Sequence, residues 1–153
     1  MTVNRNRRTI FIARNGTVGK YYLMSSSSET LKPYILSLCK YMQMHGYVSG
    51  PIPKIRLVKQ HQSDNPLEVM TGHFSPDEDE VVLYVADRHP KDILRTLAHE
   101  LIHVQQYHEG RLGGFDGASA LKDDPVLRAI EGEAFLRGNL ALRGWTEEYT
   151  HAG

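Results

Sequence analysis

The stretch TLAHELIHVQQYHEG, residues 96–110, holds two histidines four positions apart, His99 and His103, with Glu100 directly after the first. A helix advances about 100° per residue, so with His99 at zero, His103 lies at about 40° and Glu100 at about 100°. The apolar side chains occupy the remaining arc of this helical wheel: Leu94, Leu97, Ala98, Leu101, Ile102 and Val104. The pattern predicts an amphipathic helix whose polar edge carries two imidazoles and a carboxylate.

This H-E-x-x-H spacing suits zinc. Side chains at positions i and i+4 reach one small cation, and neutral imidazole is a favoured zinc ligand. A carboxylate beside them accepts a proton from water whose pKa a metal has lowered. The alternative is an ordinary solvated helix edge, and a chance match has a probability of roughly one or two per cent in such a chain. We predict that His99 and His103 bind zinc, one ion per chain, with Glu100 as general base.

A catalytic zinc needs a third protein ligand. His108 is the nearest candidate, but it falls at about 180°, among the apolar side chains, and is predicted to be structural. Glu131 lies at the centre of an apolar stripe in residues 126–144. A buried carboxylate is costly unless it is protonated, paired or bound to metal. Glu131 is therefore the predicted third ligand, and the alternative is an ion pair with Arg95 or Arg128.

The helix that carries Glu131 supplies two further expectations. Glu133 falls at about 200° from Glu131, close to Arg137, and is predicted to be solvated. The stripe around Glu131 contains small side chains that would let this helix approach the His99 helix closely. The stripe residues are Leu127, Ile130, Ala134, Phe135, Gly138, Ala141 and Leu142.

The 153 residues predict one α+β domain with a small mixed sheet. Residues 1–60 predict a hairpin around Asn15-Gly16, a helix from Glu29 to about Gly46 with Cys39 on its apolar face, and a strand within 51–60.

Residues 67–143 form the predicted catalytic core. It contains a hairpin of strands 67–75 and 80–87, the helix that begins at Pro90, and a last helix over about 125–143. The residues after 143 are expected to form a short tail.

Charge and composition indicate which partners and which cellular compartment to expect. Eighteen basic residues balance eighteen acidic ones, so no global field favours nucleic acid or an anionic membrane. The N-terminal segment contains Arg5, Arg7 and Arg8, so a basic arm that binds nucleic acid is a minor alternative. The chain shows no signal-peptide core and no apolar segment long enough to span a membrane, and its single cysteine excludes an internal disulfide. We expect a cytoplasmic protein.

HELIH followed by Glu131-x-x-Ala134 resembles the gluzincin zinc metallopeptidases, and the compact layout is similar to minigluzincins and to small phage-encoded relatives. The similarity covers residues 67–143. It implies a zincin-like fold in which His99, His103 and Glu131 hold zinc and Glu100 is the base. Phe135 stands where many gluzincins have an aspartate that supports a zinc-binding histidine, so the groups behind the ligands must differ here.

Two further expectations follow from the resemblance. A transition-state donor is not fixed by any motif: Tyr107, at about 80° on the same wheel, is the first candidate, with Tyr149 or His151 behind it. In this clan, an edge strand beside the active-site helix binds an extended peptide by strand addition. Strand 80–87 is the candidate, and the alternative is an ordinary strand of the sheet.

The resemblance and the motif together predict a zinc metalloendopeptidase that hydrolyses peptide bonds with a zinc-activated water. The main alternative is a catalytically weak or inactive zincin fold that binds a peptide or protein. A metal-dependent hydrolase of another substrate class is a third possibility. Glu100 favours the enzyme, because a binding scaffold does not need a base.

Overall fold

The computed structural model describes residues 7–12, 18–22, 26–59, 71–112 and 124–152. These residues contain five strands: Arg7–Ile12 (β1), Val18–Tyr22 (β2), Lys54–Val58 (β3), Gly72–Ser75 (β4) and Glu80–Tyr84 (β5). They also contain three helices: Ser26–Met44 (α1), Pro90–His108 (α2) and Pro125–Ala152 (α3). The predicted α+β class is confirmed. The Asn15-Gly16 turn lies outside the described residues, although β1 and β2 on either side of it do pair antiparallel.

The strand order across the sheet is β2-β1-β3-β5-β4. Only β3 and β5 pair in parallel, so the sheet is mixed as predicted. The expectation that residues 80–87 form an edge is wrong. β5 covers residues 80–84, is almost wholly buried and is paired on both sides, whereas β4 forms the edge. Alternation of residue types shows that a segment is a strand but does not show its place in the sheet.

The core lies between the helices and one face of the sheet. Alternate residues of β3 and β5, namely Ile55, Leu57, Val81 and Leu83, share one buried cluster with side chains from all three helices. Cys39 belongs to this cluster, and burial raises the pKa of its thiol to about 12. The prediction that Cys39 is a core residue is confirmed.

The start and end of α2 follow the sequence signals. The Nδ1 atom of His89 accepts a hydrogen bond from the backbone N–H of Lys91 (3.0 Å), and Pro90 occupies the first helical position. Gly110 follows the helix with a φ of 77°, a conformation that glycine adopts without steric cost.

The last helix is longer than predicted, because α3 continues to Ala152 and includes the segment expected to be a tail. Trp145 explains the continuation. Its side chain is buried, its ring contacts Tyr34 edge-on, and its Nε1 donates a hydrogen bond to Ser37 Oγ (2.9 Å). Tertiary packing against α1 therefore outweighs the weak helix propensity of Gly144. None of the described helices combines the length and apolar character needed to cross a membrane.

Helices α2 and α3 meet most closely at Gly138. A Cβ atom built on Gly138 would lie 3.1 Å from both the backbone nitrogen and the Cα of His99, and 3.3 Å from the carbonyl carbon of Ala98. Ordinary van der Waals contacts are longer, so a side chain here would push the helices apart. The predicted close approach through small residues is confirmed.

We expect Gly132→Ala to be more stable towards unfolding than Gly138→Ala. Alanine is favoured over glycine in a helix by up to about 1 kcal/mol, and a Cβ on Gly132 meets nothing within 4 Å. Gly132→Ala should therefore raise the free energy of unfolding. The free energy of unfolding of Gly138→Ala, measured by chemical denaturation, should be about 1–3 kcal/mol lower than that of Gly132→Ala, because overpacking offsets the gain in helix propensity. Equal stabilisation by both substitutions would contradict the close approach.

Candidate metal centre

The candidate site lies where the polar edge of α2 contacts α3. Within the described residues, the group of side chains able to share a metal ion is His99, His103 and Glu131. His103 is buried, the His99 side chain is 16% exposed, and Glu131 at the rim is 34% exposed. Glu131 is thus only half-buried, less than its place in an apolar stripe predicts.

The ligand atoms of this group have the spacing of a zinc site. The Nε2 atoms of His99 and His103 are 3.2 Å apart, and Glu131 places Oε2 at 3.3 Å from His99 Nε2 and Oε1 at 2.7 Å from His103 Nε2. With zinc–ligand bonds of about 2.0–2.1 Å, the edge of a tetrahedron measures about 3.3 Å. Two of the three distances match that edge, and the third is the length of a charge-assisted hydrogen bond. The donor set and spacing therefore fit zinc.

The charges of the three groups support one another in the metal-free state. Hydrogen bonds from His103 and His99 hold the pKa of Glu131 far below its usual range. Burial lowers the pKa of His103, but the hydrogen bond from Glu131 and the charges of Glu100 and Glu131 outweigh that effect, so its pKa is raised. A proton on His103 thus supplies the positive charge that a bound metal ion would supply.

Glu100 lies beside this group and is buried. Burial raises its pKa, against the opposing influence of the two histidines. The backbone N–H of Phe74 in β4 donates a hydrogen bond to its carboxylate. Strand β4 reaches α2 because residue 72 is glycine: a Cβ there would lie 2.7 Å from Thr96 Cγ2.

Gln106 is a site residue that the sequence reasoning missed. It is fully buried, and its Oε1 lies 2.7 Å from His103 Nδ1, while its Nε2 donates to the Ile130 carbonyl (3.0 Å). On the helical wheel Gln106 falls at about 340°, within about 20° of His99. The wheel therefore places Gln106 on the face of the site, although an amide side chain is not a metal-ligand type that a motif search selects.

Glu133 is partly solvated, with a side chain that is 29% exposed, and it also makes specific contacts that the sequence did not predict. Both of its oxygens accept hydrogen bonds from Arg111 (2.9 Å each), and Oε1 also accepts one from Gln106 Nε2 (3.3 Å). The ion pair with Arg111 lowers the pKa of Glu133. Glu133 thus meets Gln106 of α2 and Arg111, which follows the end of α2, whereas Glu131 meets His99 and His103.

The three candidates for a transition-state donor lie at different distances from the centre. Tyr107 is 46% exposed and packs its ring edge-on against Phe74 at 5.8 Å, on the β4 side of the centre, and its role remains a prediction. Tyr149 and His151 are wrong as candidates. They follow Glu131 by 18 and 20 residues on one helix, which corresponds to about 27–30 Å.

Three other predicted placements also have definite outcomes. His108 is structural as predicted, although it is exposed rather than in the apolar face: its Nδ1 bonds the Ser49 carbonyl at 3.0 Å. Arg95 pairs with Asp92 (2.6 Å), so it is not the partner of Glu131. Phe135 does not lie in the buried stripe; it is 60% exposed, and its ring contacts that of His99 at the rim.

The predicted basic docking arm belongs in part to the sheet. Arg7 and Arg8 begin β1, where their backbone pairs with Val58 and Leu57 of β3. Arg5 lies outside the described residues.

Comparison with known proteins yields no relative. No protein-family model matches the chain, and neither a curated protein nor a solved structure is detectably similar to it. The resemblance to gluzincins therefore depends on the motif residues themselves.

We expect the purified protein to bind about one zinc ion per chain and His103→Ala to abolish tight binding. His108→Ala is the matched control, because it removes an imidazole from the same helix outside the cluster. Elemental analysis after zinc loading and dialysis measures the stoichiometry. Retention of no zinc by the wild type, or equal losses in the two variants, would exclude the centre.

The metal-free protein should show a pH-dependent contribution from the His103–Glu131 pair. The raised pKa of His103 stabilises the fold below its ordinary value of 6.5, and this is lost as pH rises through the folded-state pKa. The lowered pKa of Glu131 stabilises the fold above 4.5, and this is lost at lower pH. The pair therefore contributes most between these two values.

Thermal unfolding in EDTA tests this expectation. The difference in Tm between wild type and Glu131→Gln should be largest at about pH 5.5 and should shrink at about pH 9. A difference that grows with rising pH would mean that His103 is not the group paired with Glu131.

Proposed function

We propose that the protein is a zinc-dependent metallopeptidase with a zincin-like arrangement and that Glu100 is its general base. The observation that carries this proposal is the grouping of the His99, His103 and Glu131 ligand atoms, with two of their three separations close to the edge of a zinc tetrahedron. Three protein ligands leave a fourth position for the reacting groups. A buried carboxylate beside such a centre is the residue type that hydrolysis requires.

A zinc ion held by the three ligands would supply a Lewis acid that polarises a carbonyl group and lowers the pKa of water. Glu100 would accept the proton of the attacking water and later deliver it to the leaving amine. Burial supports this role because it raises the pKa of Glu100 towards neutrality. The hydrogen bond from Phe74 fixes the position of the carboxylate relative to the histidines.

The edge strand that would bind substrate is β4, in place of residues 80–87. The Thr71 carbonyl accepts a hydrogen bond from Tyr84 (3.1 Å), so Thr71 faces β5. Because backbone groups alternate in an antiparallel pair, those of Gly72 and Phe74 face away from β5. The Phe74 N–H contact with Glu100 agrees with this alternation. An extended peptide added along this edge would lie beside the metal centre.

Glu100→Gln tests the proposed reaction. Glutamine keeps an acceptor for the Phe74 N–H but cannot take a proton, so peptidase activity should fall by at least about two orders of magnitude while zinc remains bound. The measurement is cleavage of a broad peptide library by zinc-loaded protein, with EDTA-treated protein as the control.

The outcomes separate the alternatives. Wild-type rates in Glu100→Gln would show that Glu100 is not the base. If neither protein cleaves any peptide but both retain zinc and bind peptides, the protein is a binding module built on the same fold.

A further inference from the structure

We propose that Gln106 is the positioning residue of this centre: it fixes which nitrogen of His103 carries the proton and holds that imidazole towards the metal. The inference depends on the proposed zinc centre for its functional meaning. It concerns the groups behind the ligands, for which the gluzincin motif gives no guidance because Phe135 replaces the supporting aspartate.

The orientation of the Gln106 amide is determined by its surroundings. The Ile130 carbonyl only accepts hydrogen bonds, and it lies 3.0 Å from Nε2. The amide nitrogen must therefore face Ile130, which leaves Oε1 facing His103 Nδ1 at 2.7 Å. The side chain is fully buried, so no water competes for these contacts. A reversed amide would place its oxygen against the Ile130 carbonyl and the Glu133 carboxylate, which are both acceptors.

The amide in turn determines the tautomer of His103. Since Oε1 of Gln106 can only accept, His103 Nδ1 must be the donor of the 2.7 Å hydrogen bond. The lone pair of the neutral imidazole then lies on Nε2, the atom that faces His99 and Glu131, and in the metal-free protein a second proton on Nε2 makes the 2.7 Å hydrogen bond to Glu131. A zinc ligand needs this arrangement, and a partner on the far nitrogen also restricts rotation of the ring.

Glu133 and Arg111 complete the support of Gln106. Its second N–H points to Glu133 Oε1 at 3.3 Å, and Arg111 holds Glu133 through two contacts of 2.9 Å. The longer contact and the 29% exposure of Glu133 mean that water can replace this partner. Loss of Glu133 should therefore have a smaller effect than loss of Gln106.

The neighbouring Gln105 provides a matched control. It is also buried, and its Oε1 accepts two hydrogen bonds from Ser49, from the backbone N–H at 2.7 Å and from Oγ at 2.9 Å. Its contacts tie α2 to the loop between α1 and β3 and do not involve the centre. Substitution of either glutamine by methionine, which is unbranched and of similar length, removes buried hydrogen bonds from the same helix.

Zinc affinity, measured by competition with a chromophoric chelator, separates the two roles. We expect Gln106→Met to weaken zinc binding by about 10–100-fold, the range found when groups behind metal ligands are lost. Glu133→Ala should weaken it only a few-fold. Gln105→Met should lower stability to a similar extent as Gln106→Met yet bind zinc like the wild type.

Nitrogen-15 NMR of the metal-free Glu131→Ala variant, in which no carboxylate competes for a proton on Nε2, gives a test that needs no metal. At a pH where His103 is neutral, Glu131→Ala should show the Nδ1–H tautomer of His103, and adding Gln106→Met should shift it towards Nε2–H. An Nε2–H tautomer in Glu131→Ala would overturn the inference, even if the double variant did not fold. So would equal zinc affinity of wild type and Gln106→Met. If the tautomer is as expected but the wild type binds no zinc, the inference about Gln106 stands and the proposed function fails.

Discussion

The close contact of α2 with α3 at Gly138 is the constraint on which the centre depends. Glu131 lies two turns before Gly138 on α3, and His99 lies directly opposite Gly138 on α2. Because no side chain separates the helices there, the Glu131 carboxylate comes within 2.7–3.3 Å of both imidazoles. Any residue larger than glycine at position 138 must either move α3 or displace the backbone of His99.

The metal-free centre is held together by its own charges. Gathering two imidazoles and two carboxylates in a partly buried space is unfavourable unless the charges compensate. The lowered pKa of Glu131 and the raised pKa of His103 show how compensation occurs: a proton shared with His103 occupies the position suited to a cation. Metal binding would then exchange a proton for a divalent ion with little rearrangement of side chains.

The two sides of the centre differ in the groups that surround them. On the β4 side, Phe74 holds Glu100 through its backbone, and β4 is an edge strand among the residues that the structure describes. On the opposite side, Gln106 closes off the far nitrogen of His103 within a fully hydrogen-bonded amide. The first side is therefore the one on which the proposed function needs a substrate, while on the second side the contacts of Gln106 with His103 and Ile130 are buried.

The sequence by itself determined the amphipathic helix, its start and end, and the choice of His99, His103 and Glu131 as one group, because these depend on local periodicity and on residue chemistry. It also identified the small residues of α3. It did not determine that β5 is internal and β4 the edge, since strand order depends on contacts between distant segments.

Only the tertiary structure assigned partners to Glu133 and Gln106. Arg111 reaches Glu133 from beyond the end of α2, and Gln106 takes its orientation from the Ile130 carbonyl of another helix. It likewise placed Tyr149 far from the centre, since burial of Trp145 continues α3 past Gly144. A helical wheel gives the direction of each side chain, but the group that meets it there is fixed by packing between elements that are remote in the chain.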